Sequence, residues 1–152
     1  VGALNGSSLM IPLAVVREHG FMDESFFMNG EEVDYCFRLA NEDIKSLIVP
    51  RSIVSHEVGG SYRESPQLSQ LLKHYYRTRN HFVFIRRYEG WLALAKQICR
   101  YLKNTWRFQI LALLSPKRAF VRSWPDYLTR LAVEDAILNR LGKRFAPEDY
   151  LD

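Results

Sequence analysis

The sequence predicts an α/β chain, with short strands and helices over residues 1–64 and a mostly α-helical region over 65–152. Three observations predict it. Short apolar runs beside turn residues, Leu9-Met10-Ile11, Leu47-Ile48-Val49 and Ile53-Val54, read as brief strands in the first part. From Ser65 onward apolar residues recur every three or four positions, as on helix faces. Charge divides at the same place: residues 1–65 hold 5 Lys/Arg against 10 Asp/Glu, residues 66–144 hold 16 against 4, and the tail 145–152 is net −3. An acidic block suited to carboxylate or metal chemistry thus precedes a basic block suited to phosphates or an anionic surface.

The elements follow in order. Asn5-Gly6-Ser7-Ser8 is a turn feeding the first apolar strand, and Pro12 opens a helix, Leu13 to His19, that Gly20 stops. An aromatic-rich loop, Phe21 to Gly30, ends at Glu31, where Val33, Cys36, Phe37 and Ala40 recur at helical spacing with Glu31, Glu32 and Asp34 in the first turn. Two β segments around Pro50-Arg51 then close on His56. Beyond Ser65, Leu68, Leu71, Leu72, Tyr75, Tyr76, Phe82 and Val83 share one helix face. Trp91, Leu94, Ala95, Ile98, Leu102 and Thr105 share the face of a second helix, opposite Lys96, Arg100, Lys103 and Arg107. A third helix is expected over Trp124 to Leu141, with Gly142 as its C-cap.

A length of 152 residues with 47% hydrophobic content suits one domain with a real core and excludes disorder. Cys36 and Cys99 are far apart, without CxxC spacing, which suits a reducing compartment. No run reaches the roughly 18 apolar residues of a spanning helix, and Val1 to Met10 lack the layout of a signal peptide.

Two groups of residues bear chemistry. Three carboxylates within four residues, Glu31, Glu32 and Asp34, repel one another unless a cation, hydroxyl or dipole stabilises them, and a raised pKa on one would suit a general base. The same pattern also serves as an ordinary charged first turn. His56, followed by Glu57 and by Gly59-Gly60-Ser61, offers an imidazole for a divalent metal beside backbone amides for phosphate. A single histidine ending a strand also serves purely structural roles.

The order Asn5-Gly6-Ser7-Ser8-Leu9-Met10, Gly20-Phe21-Met22-Asp23-Glu24-Ser25-Phe26-Phe27, Glu31-Glu32-Val33-Asp34-Tyr35-Cys36-Phe37-Arg38, Val49-Pro50 and His56 resembles the second half of bacterial rhamnosyltransferase-like family 2 glycosyltransferases. Tyr75-Tyr76-Arg77-Thr78-Arg79-Asn80 resembles the helix that follows that family's catalytic domain. The resemblance implies a GT-A, Rossmann-like fold of which residues 1–64 are the acceptor-side half, and an inverting transfer from a nucleotide-sugar donor. Glu32 takes the position of the catalytic base, with Glu31 as the alternative. Asp34 joins the catalytic cluster in a supporting role, Gly6, Asp23, Arg38, Gly59, Gly60 and Ser61 contact substrate, and His56 approaches a metal-bound diphosphate. The implied cofactor is Mg2+ or Mn2+. That family holds its metal with an Asp-x-Asp segment in an N-terminal half; Asp-x-Asp, GxGxxG and P-loop motifs are absent from this sequence, so the chain is expected to be a fragment without transfer activity alone.

The implied partners are a nucleotide-sugar donor and a glycan or polyprenyl-linked acceptor in cell-surface polysaccharide synthesis. Trp91 to Leu114 combines tryptophans and aliphatics with basic residues, as a helix lying on anionic lipid does, though the same helix could simply pack with its cations solvated. A cytoplasmic location, peripheral on the inner face of the membrane, follows from that reading. A nucleic-acid module is the rival, given the basic block with Tyr75, Tyr76, Phe82 and Trp106 interleaved; it lacks a nucleic-acid motif and leaves the acids unused, so no nucleic acid is expected. A non-catalytic helical interaction domain is the third reading.

Overall fold

A computed structural model describes residues 2–56, 66–114 and 116–145, with side chains described outside 104–126. Among these residues the regular structure is all helical: α1 (Leu13–His19), α2 (Glu31–Asn41), α3 (Pro66–Tyr88), α4 (Gly90–Leu114) and α5 (Pro116–Ile137), with single 3-10 turns at Gly6–Ser8 and Glu24–Phe26. The α/β, Rossmann-like sheet expected from the sequence is therefore overturned, since the described residues contain no strand. The apolar runs read as strands form no ladder in the fold, and a strand exists only through hydrogen bonds to a neighbour. In the two later runs the side chains lie open, with Ile53 at 93% exposure and Leu47 at 75%, while Leu9 and Ile11 of the first are half-buried.

The long helices build the core. α3 packs chiefly on α5, while α4 closes against both. Phe82, Val83 and Ile85 of α3 meet Leu94 of α4 and Val133 and Ala136 of α5, and Phe26 from the loop before α2 enters the same cluster. One turn away Leu72, Tyr75 and Tyr76 pack on Ala132, with Met28, Leu128 and Phe145 against them. The α3 face read from sequence is thus the buried one. On α4 the prediction was half right: Leu94 is buried and Ile98 packs on the core, but Trp91, Ala95 and Leu102 face outward, and Tyr101 completes the inner stripe. α5 starts earlier than expected, at Pro116, and stops at Ile137. Gly142 therefore lies beyond the helix, and its φ of 76° belongs to a turn instead of a cap.

That turn is part of the hub of the molecule. Arg79 on α3 is fully buried and donates from Nη1 to the Gly142 carbonyl (2.7 Å), from Nη2 to the Ser25 and Phe26 carbonyls (3.2 and 2.9 Å), and from Nε to Asn80 Oδ1 (3.0 Å). The Gly142 amide returns a bond to the Ser25 carbonyl at 2.6 Å. Its guanidinium also lies 4.9 Å from the Tyr76 ring centroid. Burial lowers its pKa, and the cation persists because each donor finds a carbonyl or amide oxygen.

Arg79→Met is expected to lower the unfolding free energy by about 3 kcal/mol or more in urea melts, because it leaves buried carbonyls unpaired. Arg77→Met, at an exposed position two residues earlier on the same helix, should stay within about 0.5 kcal/mol of the parent.

Candidate functional site

The site grows from the loop between the Glu24–Phe26 turn and α2. Asp23 caps that turn, its Oδ1 accepting from the Ser25 amide at 2.9 Å. The chain then reverses through a γ-turn at Phe27 (φ 58°, ψ −54°), closed by the Met28 amide donating to the Phe26 carbonyl at 2.6 Å. Positive φ continues at Asn29 (61°) and Gly30 (101°). Such backbone costs energy and persists only where its surroundings over-determine it. Asn80, beside Arg79, provides that: its buried amide donates to the carbonyls of Phe26 (2.9 Å), Met28 (2.8 Å) and Asn29 (2.5 Å). Gly30 suits its place because its φ of 101° disfavours a side chain.

This loop delivers the carboxylates. Glu31 and Glu32 open α2, both half-buried, where the free amides and dipole of the helix end favour negative charge. Glu32 Oε2 accepts from the Gly30 amide at 3.2 Å, and its side chain lies along the Gly6 turn, where a Cβ would stand 3.7 Å from Glu32 Cβ. Gly6 and Glu32, predicted as site residues from segments 26 positions apart, are thus neighbours. Glu31 is different: its Oε2 is buried with no hydrogen-bond partner among the described residues. Burial raises its pKa, its own backbone amide opposes that, and the Glu32 charge adds to the rise.

Asp34 faces the other way. It is fully buried, with Oδ1 accepting from Arg87 Nη1 (2.8 Å) and the Tyr88 hydroxyl (2.7 Å) and Oδ2 accepting from Arg38 Nε (3.1 Å). Arg38 also donates to the His19 and Phe21 carbonyls (3.3 and 2.7 Å), tying the end of α1 to α2. Arg87 further pairs with Asp23 at 2.9 Å. Burial alone would raise the Asp23 pKa, but the Ser25 and Arg87 hydrogen bonds outweigh it and hold the carboxyl low. The Tyr88 hydroxyl is pushed up to about 12, first by burial and then by the Asp34 charge. Asp34, Asp23 and Arg38 therefore form a brace under the acids, engaged with Arg87 and Tyr88 of α3 and with the backbone of His19, Phe21 and Ser25. Sequence reasoning missed the site roles of Arg79, Asn80, Arg87 and Tyr88, whose partners across the fold lie more than 50 positions away; only polar residues on an apolar helix face could have hinted at them.

Gly59, Gly60 and Ser61 lie outside the described residues. His56 is exposed, and among the described residues no group of three or more His, Cys, Asp or Glu side chains could hold a metal ion. The described residues thus do not fit the divalent ion implied by resemblance. A shallow cleft beside α2, lined by Glu18, His19, Arg38, Leu39, Asn41 and Glu42, lies toward its C-terminal end, away from Glu31 and Glu32.

The arrangement is that of a helix-end carboxylate pair, one oxygen uncommitted, on a rigid loop. Comparison with known proteins adds a chemical class. The chain is 42% identical over 40 residues, 26% of its length, to the low-salt glycan biosynthesis hexosyltransferase Agl10 of Haloferax volcanii. That stretch covers only 13% of the relative, so the likeness is to a short part of a glycosyltransferase. No protein-family model matches the chain, and no solved structure does.

The raised pKa of Glu31 means that the folded protein binds this proton more tightly than the unfolded chain. The stabilisation is therefore complete at low pH and lost as pH rises through the folded value. Glu31→Gln should melt with the parent near pH 4 and about 2 °C higher near pH 8 in scanning calorimetry. Asp34→Asn, which leaves Arg38 and Arg87 short of a counter-charge, should cost about 3 kcal/mol at neutral pH.

Proposed function

We propose that this chain supplies the acceptor-side, base-bearing part of an inverting glycosyltransferase of the rhamnosyltransferase-like family 2 kind. The observation that carries the reading is the half-buried Glu31-Glu32 pair, fixed on a braced helix end, in a chain with a segment similar to a hexosyltransferase. In the reaction, Glu32 takes the proton from an acceptor hydroxyl as its oxygen attacks the anomeric carbon of the donor. The bond from that carbon to the diphosphate breaks, and the configuration inverts in one displacement. The nucleoside diphosphate leaves with the electron pair as a stable anion, so a single carboxylate base suffices.

The relative's hexosyl transfer makes a nucleotide-hexose the first donor to try, with a nucleotide-rhamnose, a deoxyhexose, suggested by the motifs. A glycan or polyprenyl-linked acceptor at the cytoplasmic face of the membrane completes the proposal. Any Mg2+ or Mn2+ accompanying the diphosphate would need ligands other than the described residues. One observation favours a second assignment: the uncommitted Oε2 and raised pKa of Glu31 suit it to hold the abstracted proton.

Turnover by the whole enzyme with nucleotide-sugar and acceptor separates the two assignments. Glu32→Gln is expected to lower kcat by about 10²- to 10⁴-fold with the donor KM little changed, and Glu31→Gln by less than about tenfold. The reverse ranking transfers the role to Glu31, and the activity profile should then rise with pH above the ordinary carboxylate range. Unchanged turnover in both variants would sink the reading.

A further inference from the structure

Among the described residues, α4 turns an exposed amphipathic face to the outside. Leu94, Ile98 and Tyr101 point into the core, while Trp91 (64% exposed), Leu92 (71%) and Leu102 (56%) point out, with Ala95 and Cys99 exposed between them. At 3.6 residues per turn these five outward residues fall within an arc of about 100°. The exposed Lys96, Arg100 and Lys103 occupy the next roughly 60° of the same surface. The two arcs adjoin without mixing.

Charge decides what could cover such a face. From Gly90 to Pro125 the sequence contains Lys96, Arg100, Lys103, Arg107, Lys117, Arg118 and Arg122 and not one Asp or Glu. A self-complementary or protein-packed surface would be expected to carry some acids to offset these cations. An acid-free stretch of this length seeks an anionic partner, and an apolar arc beside it needs that partner to offer hydrocarbon. An anionic bilayer provides both within a few ångströms: phosphate headgroups for the basic arc and acyl chains for the apolar one. Trp91 suits the boundary, its amphipathic ring standing out beside Arg86, whose guanidinium lies 5.9 Å from the ring centroid. No helix among the described residues is long and apolar enough to cross a membrane, so the geometry is that of a helix lying on the surface.

We propose that α4 is a membrane-surface helix that seats the Trp91-Leu92-Leu102 arc at the headgroup boundary of an anionic bilayer, with Lys96, Arg100 and Lys103 on the lipid phosphates. The inference does not depend on the transfer reading, and its test contains no turnover measurement.

Co-sedimentation of the protein with phosphatidylcholine vesicles, with and without phosphatidylglycerol, tests it at low and high salt. The protein should pellet with the anionic vesicles, weaken as salt rises, and stay in the supernatant with phosphatidylcholine alone. Replacing Lys96, Arg100 and Lys103 together by Gln should lower partitioning roughly a hundredfold. Trp91→Ser with Leu92→Ser should lower it at least about tenfold, with unchanged circular dichroism because both side chains are mostly exposed. In the parent protein, tryptophan emission should shift to the blue on adding anionic vesicles. Absence of pelleting, equal pelleting on both vesicle types, or pelleting without the emission shift would overturn the proposal. So would a dimer in sedimentation velocity that Trp91→Ser with Leu92→Ser dissolves, which would make a second copy the occupant, or displacement from vesicles by an equimolar oligonucleotide.

Discussion

Two adjacent side chains on α3 hold this molecule's geometry. Arg79 and Asn80 together satisfy the carbonyls of Ser25, Phe26, Met28, Asn29 and Gly142, all of which would otherwise be costly to bury. Neither residue is replaceable by an apolar one of similar size, because the strained turn at Phe27 has no regular secondary structure to absorb its polar groups. Removing water from the loop is possible only because these donors replace it. The start of α2, the seating of Phe26 in the core and the turn at Gly142 all follow from that exchange.

The brace below has the opposite character. Asp34 gathers charge from Arg38 and Arg87, and Arg87 in turn reaches Asp23, so an alternating chain of four charges runs from the turn before α2, through the last turn of α3, to Arg38 on α2. Phe37, Phe84 and Tyr88 pack alongside in tilted and edge-to-face pairs, with centroids 4.5 to 5.1 Å apart, while Asp34 alone of the four charges is fully buried. Three carboxylates written almost consecutively thus take three roles: one internal counter-ion, one helix-capping acceptor and one with an oxygen unclaimed. Environment, far more than spacing, separates them.

How much of this was readable in advance depended on the range of the interactions. The limits of α1 and the start of α2 were legible because Pro12, Gly20 and Gly30 act on their immediate neighbours. The α3 face was legible because Leu72, Tyr75, Tyr76, Phe82 and Val83 repeat with the helix period. Strands at Leu47-Val49 and Ile53-Val54 were misread because β-branched runs announce a capacity for pairing, and the fold supplies no ladder there. The orientation of α4 was misread because apolar residues occur on both its sides, and periodicity alone does not say which stripe meets α3. Arg79 and Asn80 stood out only as part of a segment resembling a family helix, and their bonds to the loop stayed hidden because those partners lie more than 50 positions away. Gly6 against Glu32 was half legible: both were marked, but only the fold joins them.

The two thiols of the chain differ sharply in setting. Cys36 is sealed within α2's inner face, while Cys99 stands on the outer face of α4. A maleimide or nitroxide reagent applied to the native protein would therefore modify a single defined position, leaving the interior untouched. The molecule carries its own spectroscopic address on the one helix whose surroundings most need to be watched.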